Sequence, residues 1–313
     1  MQFTTLTGTK PPVPAGALRP DRPYRIALVV KNRVNPAYLS AMKAGDDAAA
    51  RYGIEVRHFV PSVPDDLAEQ NALLESVIDG GGFDALLLTP VDAEAQVPLI
   101  ERADAAGLPV HNFSNAVAGG EVATFVASDD VAIGESVIDW LADVSDGSAR
   151  LCVVAGSPTT PTGRDRLAGV HHALERHKGL VVLEEAPAYY DRSKAHDLVL
   201  LWLTTHSEID AIVALNDEMA LGAAEALQSV GHEGVRITGV NGTPEGLLAV
   251  QDGRLAITVD YALYAMTELS IELAIRNLNG ERLAQQSFML PSPVIGPDNV
   301  AAAIEQRRAW GII

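Results

Sequence analysis

Ile209–Gly222 reads IDAIVALNDEMALG. Ile209, Ala211, Ile212, Val213, Ala214 and Leu215 form a short apolar run, as expected of a strand buried on both faces of a parallel sheet. Asn216 and Asp217 end the run with side chains that favour caps and turns over strands. Met219, Ala220, Ala223, Ala224 and Leu227 then recur at helical spacing and predict a helix over 218–227, with Asp217 as its N-cap. The unit is strand, polar corner, helix. In open α/β sheets such corners lie at the carboxyl ends of strands, where ligands bind. Asn216 both donates and accepts, as recognition of a hydroxyl requires; the competing reading is a plain turn residue.

The same grammar occurs at Asp84–Ala93, DALLLTPVDA. Two copies of one unit suggest two similar lobes. Around them, apolar runs and helical patterns alternate along the chain. The strands expected are 24–30, 54–60, 109–113, 122–127, 151–155, 181–186, 236–240 and 256–259. The helices expected between them are 37–52, 65–78, 95–106, 131–144, 164–177, 193–205, 244–251 and 262–278. Asn35-Pro36 has the form of an N-cap followed by proline at the first helical position. Short links between alternating elements imply an α/β chain with two doubly wound parallel sheets.

At 313 residues and 48% hydrophobic, the chain can bury two cores of ordinary size. A net charge of −18 argues against nucleic acid and anionic membranes as partners. No apolar run approaches the roughly 18 residues of a membrane helix. The single cysteine, Cys152 in RLCVVAG, reads as a small buried hydrophobe and allows no internal disulfide. Residues 1–23 contain Pro11, Pro12, Pro14, Pro20 and Pro23 and read as an extended or disordered leader, without the pattern of a secretory signal.

Several motifs fail. Gly156–Arg166, GSPTTPTGRDR, has the wrong glycine spacing for a phosphate loop, and no G-x-G-x-x-G follows the first strand. His171, His172 and His177 share one expected helix, but no Cys or carboxylate pattern completes a metal site. No nucleophile–base pair is discernible. No cofactor, metal or enzymatic activity is implied.

The motifs resemble, in order, those of the periplasmic sugar-binding proteins of ABC transporters, specifically the ribose-binding-like group of the type I fold. The stretches that carry this are VVKNRVNPAYLSAMKAGDDAAARYGIEV (29–56), DALLLTPVDAEAQVPLIERADAAGLPV (84–110), ASDDVAIGE (127–135), NDEMALGAAEAL (216–227) and GVNGTPEGLLAVQDGRLAITV (239–259). The resemblance implies two Rossmann-like lobes joined by three crossings, near Ser128-Asp129, Asp260–Ala262 and Phe288–Leu290. The lobes expected are 24–128 with 262–288, and 129–261 with 289–313, closing like a hinge on one small sugar. It also implies a periplasmic location with any signal peptide removed, a monosaccharide or small polyol as ligand, ABC permease subunits as partners, and a monomer.

Site residues carry over where the motifs align. They are Asn35 and Tyr38 at the first corner, Ser114 and Asn115 after Leu108-Pro109-Val110, Arg164, Tyr190, Asn216, Asn241 and Tyr261. Tyr38 could equally be a packed helix residue, and Arg164 an ion-pair partner at a helix start. The family often has two aromatics after Asn-Pro; here they are Ala37 and Tyr38. Ser114 and Asn241 stand where ribose binders carry carboxylates, which accept strongly from paired hydroxyls. That departure, with Arg164 retained and Lys31 and Arg33 at the first corner, keeps an acidic sugar derivative as an alternative ligand. A sugar-sensing domain feeding a receptor or regulator is the alternative role.

Overall fold

The computed structural model describes residues 4–5, 18–283 and 285–313. In chain order the first elements are β1 (Thr4–Thr5), β2 (Arg25–Val29), α1 (Pro36–Tyr52), β3 (Glu55–Phe59), α2 (Leu67–Gly80), β4 (Ala85–Leu88), α3 (Val97–Ala105), β5 (Val110–Phe113) and β6 (Thr124–Ser128). Then come α4 (Asp130–Val144), β7 (Ala149–Ala155), α5 (Pro161–Arg176), β8 (Leu180–Pro187), α6 (Arg192–Thr205), β9 (Ala211–Ala214), α7 (Asp217–Ser229), β10 (Arg236–Asn241), α8 (Pro244–Gln251) and β11 (Ile257–Asp260). The last are α9 (Leu263–Leu278), β12 (Ser287–Leu290), β13 (Val294–Ile295) and α10 (Val300–Ala309). The alternation read from the sequence is the alternation observed.

These elements form two compact units. One comprises the described residues up to Ser128 with Ala262–Pro291, the other Asp129–Tyr261 with Ser292–Ile313. The chain therefore changes unit three times.

The N-terminal unit is built on a sheet of order β1-β12-β6-β5-β4-β2-β3, with every pairing parallel. Because β2 lies between β4 and β3, the chain winds outward from it in both directions. The carboxyl ends of β2 and β4 thus mark the topological switch point, where such sheets bind ligands. Strand residues alternate between faces. Ala27, Val29, Leu86 and Leu88 pack on one face with Leu74 and Val77 of α2 and Leu99, Ile100 and Ala103 of α3. α1 begins where expected: Asn35 caps it, its Oδ1 accepting from the Ala37 N–H at 3.0 Å. Gly53 ends it in the left-handed conformation, φ 66°, its N–H donating to the Ala49 carbonyl.

The proline-rich leader lies mostly outside the described residues. Within them, Thr4–Thr5 pairs with Phe288 and Met289 at the sheet edge. The Asn279 side chain donates to the Arg19 carbonyl at 2.8 Å and accepts from the Asp21 N–H at 3.1 Å.

The C-terminal unit repeats the plan with a sheet of order β13-β11-β10-β9-β7-β8, parallel except for β13 on β11. Here β7 lies between β9 and β8, so the switch point falls at the Gly156 turn and the Leu215-Asn216 corner. The central strands β7 and β9 are buried on both faces, whereas the edge strand β8 is only partly covered.

One local expectation is corrected. Asn216, not Asp217, is the N-cap of α7: its Oδ1 accepts from the Met219 N–H at 2.8 Å. Asp217 turns inward instead and is fully buried. It accepts from the Thr243 N–H at 2.7 Å, the Thr243 hydroxyl at 2.8 Å and the Thr258 hydroxyl at 2.6 Å. Burial still pushes its carboxyl up to about 6, with Thr258 and Thr243 opposing. Gly239 and Gly246 make room for it, since a Cβ at either would lie 2.4 Å from a carboxylate oxygen.

Candidate functional site

The C-terminal unit gathers four of the residues singled out from the sequence around one arginine. Asn216 ends the β9 corner, Asn241 ends β10, Tyr261 follows β11, and Tyr190 follows β8. The arginine is Arg166, in the second turn of α5. Its Nε donates to Asp130 Oδ1 at 2.7 Å, and its Nη1 to the Leu215 carbonyl at 2.9 Å and to Asn241 Oδ1 at 3.2 Å. Its guanidinium stacks 4.5 Å from the Tyr261 ring centroid. Nη2 makes no hydrogen bond among the described residues.

Arg164, the arginine expected here, lies elsewhere. It is exposed and donates to the Thr159 carbonyl at 3.1 Å. The reason is helical phase. α5 starts at Pro161, capped by Thr160, and its buried positions include Gly163, Arg166, Gly169, Val170 and Ala173. That is the i, i+3, i+4 stripe of an inward face, and Arg164 falls off it. An arginine on an otherwise small and apolar stripe was the available signal. Asp130 was also missed. Asp129 caps α4, accepting from the Ala132 N–H, and so sets Asp130 in the first turn, within reach of Arg166.

The charge balance at this cluster is tight. Burial drives the Asp130 carboxyl upward, and Arg166 pulls it back. On Arg166 burial acts downward, but Asp130 and the neighbouring tyrosines outweigh it, so the guanidinium stays charged. Asn216 is fully buried with its Oδ1 committed to the helix cap, and its Nδ2 has no partner among the described residues. A buried amide donor left unmade costs about 1–3 kcal/mol, a cost that a bound ligand or water supplying the acceptor would remove.

Tyr190 forms an aromatic wall. It adopts φ +64°, and its hydroxyl bonds Thr160 Oγ1 at 3.0 Å. The ring presses on the Gly156 turn so closely that a Cβ there would sit 2.4 Å from Tyr190 Cε1. Tyr189 beside it is exposed, with Lys194 Nζ 5.3 Å from its ring centroid.

In the N-terminal unit the named residues lie at the ends of β2 and β5. The Asn35 backbone N–H donates to Asn32 Oδ1 at 3.0 Å, and Asn32 Nδ2 donates to Asp65 at 3.2 Å. This ties the first corner to the loop after β3. Tyr38 is buried in the first turn of α1, with Lys31 Nζ 5.7 Å from its ring centroid. Ser114 takes φ +65° and donates its N–H to the Val126 carbonyl at 2.8 Å. Asn115 is buried and donates through Nδ2 to the Pro90 carbonyl at 3.3 Å, while its own carbonyl accepts from Asn112 Nδ2 at 2.8 Å. Asn112, fully inside, also donates to the Leu88 carbonyl at 2.9 Å and so ties the ends of β4 and β5 together.

Among the described residues no group of His, Cys, Asp and Glu is arranged to hold a metal, and no helix is long and apolar enough to cross a membrane. His171, His172 and His177 instead face Glu185, Glu135 and Asp139.

Residues 26–282 match the family described as periplasmic binding protein domain. The chain belongs to this family. It is 32% identical over 271 residues to the ribose import binding protein of Escherichia coli (strain K12), covering 87% of this chain and 89% of that one. An ABC transporter solute binding protein from Bacillus halodurans C-125, solved with bound myo-inositol, superposes with a TM-score of 0.83 at 28% identity, covering 90% of this chain and 98% of the other. A periplasmic solute binding protein from Actinobacillus succinogenes 130z, solved with bound D-allose, shares the fold at a TM-score of 0.85 and 23% identity, over 90% of this chain and all, 100%, of that one. The architecture is the type I periplasmic binding fold that the motif order implied, and members of this family are binding proteins.

Proposed function

We propose that the protein captures a neutral monosaccharide or small polyol as the substrate-binding component of an ABC importer, and that it binds without chemistry. The observation that carries this is Asn216: a buried amide donor with no partner, beside an arginine whose Nη2 makes no hydrogen bond among the described residues. Two tyrosines, Tyr190 and Tyr261, supply apolar faces suited to sugar C–H groups. Asn241 and Arg166 fix hydroxyl orientation. Asn35, Tyr38, Ser114 and Asn115 are the contacts assigned to the N-terminal unit. The ligand then favours a closed form by its differential affinity for the two states. The ligand-loaded protein then docks on permease subunits in the periplasm as a monomer.

A second reading, an acidic sugar derivative, draws on Lys31. Its side chain is almost wholly buried at the end of β2, with Asp65 at 3.8 Å and no hydrogen bond to its ammonium among the described residues. A thermal-shift screen against D-ribose, D-allose, xylitol, myo-inositol and sugar acids separates the two, because a ligand that binds only the folded state raises the unfolding midpoint. A shift with a neutral sugar or polyol supports the first reading, and a shift with acids alone supports the second. No shift in protein stripped of bound ligand by unfolding and refolding counts against both. Small-angle scattering with and without the hit tests closure: unchanged dimensions count against it.

A further inference from the structure

We propose that Arg307, on the C-terminal helix α10, is a positioning residue for this site, acting through Asp260 and Gly242 on Asn241 and Tyr261; the inference rests on the sugar-binding reading. Arg307 is buried, and its Nη2 donates to Asp260 Oδ1 at 2.7 Å. Asp260 is the last residue of β11, directly before Tyr261, and pairs in register with Asn241 at the end of β10. The same guanidinium lies against the next turn: a Cβ built on Gly242 would be 3.2 Å from Arg307 Nη2 and 3.3 Å from Asp260 Oδ1. Trp310, one helical turn on, backs the guanidinium at 4.6 Å from its ring centroid.

Asn241 needs such a brace. It holds φ +118°, a region that non-glycine residues occupy only where surrounding contacts over-determine the backbone. Gly242 follows at φ +61°, its N–H donating to Thr258 Oγ1 at 3.2 Å, and the Tyr261 N–H reaches back to the Asn241 carbonyl at 3.4 Å. Asn241 and Tyr261 are two of the groups that hold Arg166 in place. The segment after Ser292 thus returns to the sheet as β13 and α10 and sets the end of the β10–β11 pair from behind. Ligand contact stays with Asn241, Tyr261 and Arg166; Arg307 works through them.

The test compares Arg307→Met, Arg307→Lys, the double variant Arg307→Met with Asp260→Asn, and Arg308→Met as a control on the exposed side of α10. The double variant removes the buried carboxylate that Arg307→Met leaves without its cation, so it recovers folding stability if the single variant is poorly folded. Two readouts are taken: amide hydrogen exchange at Asn241, Gly242 and Tyr261 without ligand, and affinity for whichever of D-ribose, D-allose, xylitol and myo-inositol binds the unaltered protein. The expected result is faster exchange at those amides and an affinity loss of about tenfold in the double variant, with Arg307→Lys intermediate and Arg308→Met unchanged. Affinity that recovers along with the unfolding midpoint in the double variant overturns the proposal, because the pair would then serve stability alone. If no sugar binds the unaltered protein, the sugar reading is what fails. Exchange then decides the brace, and unchanged protection at Gly242 overturns it.

Discussion

Arg166 and Asp130 form a buried ion pair at 2.7 Å, with the arginine side chain 2% and the aspartate 10% exposed. Such a pair contributes little over an apolar replacement, but breaking it strands a charge. Arg166→Met should therefore lower stability to urea by about 3–5 kcal/mol, mostly through the uncompensated carboxylate. Asp130→Asn should also destabilise: its amide oxygen still accepts from Nε, but the buried guanidinium loses its counter-charge and cannot shed its proton. Sugar affinity should fall more in Arg166→Met than in Asp130→Asn. Calorimetric titration beside urea unfolding checks both, and an Arg166→Met variant of full stability would remove the pair from the account.

Asn216 caps α7 through Oδ1 while its buried Nδ2 lacks a partner among the described residues, and one substitution separates the two groups. Asn216→Asp keeps an acceptor for the Met219 N–H and so keeps the cap, but puts a carboxylate at a fully buried position beside Asp217, so stability should fall at neutral pH and recover as the pH is lowered. It removes the Nδ2 donor and brings a carboxylate near the ligand. Affinity for a sugar should fall at least about tenfold, which corresponds to one lost buried hydrogen bond of about 1.4 kcal/mol. A variant equally tight would show that the amide group faces no ligand.

The fold was legible because its signals are local and repeated. The Ile209 and Asp84 units each carry an apolar run, a polar corner and a helical pattern, and both sheets are built from such units. Pro244–Gln251 shows how far caps and periodicity reach: Thr243 caps it and Pro244 opens it at the residue expected. Positions in the Arg166 cluster were legible where a motif fixed the residue to a strand end, as for Asn216 and Asn241. The arginine that reaches this cluster is Arg166, two residues beyond the Arg164 read from the sequence, because Pro161 rather than Arg164 begins α5 and so sets the phase of its inward face. Asp217 was misread because its partners, Thr243 and Thr258, are 26 and 41 residues away in sequence. Nothing local marks such a contact.

Gly156→Ala tests the aromatic wall. The added methyl would lie 2.4–2.6 Å from Tyr190 Cε1, Cζ and the hydroxyl, closer than any real contact. The ring is held by Thr160 and by a left-handed backbone, so it cannot yield without moving out of place. Overpacking of this kind costs about 1–3 kcal/mol. Affinity should drop further than stability, and the near-ultraviolet circular dichroism of the tyrosines should change. An alanine variant with unaltered sugar binding would mean that Tyr190 contributes nothing to the ligand.

His111 gives the N-terminal unit a pH dependence. The ring is fully buried on β5, with Nδ1 2.8 Å from Thr124 Oγ1. Burial pulls its pKa down to about 4, Asn277 opposing. The folded state therefore holds a neutral imidazole, while the unfolded chain takes up a proton near its ordinary value of 6.5. Between these values the unfolded state binds more protons, so stability from this group is fully present above pH 6.5 and is lost as the pH falls toward about 4. From pH 7 to pH 5 the loss should be about 2 kcal/mol. His111→Asn keeps a group able to pair with Thr124 and removes the titration. The difference in urea stability between the two proteins should shrink on the way down from pH 7 to pH 5. A difference that stays constant across that window would mean that His111 carries the same proton occupancy in both states.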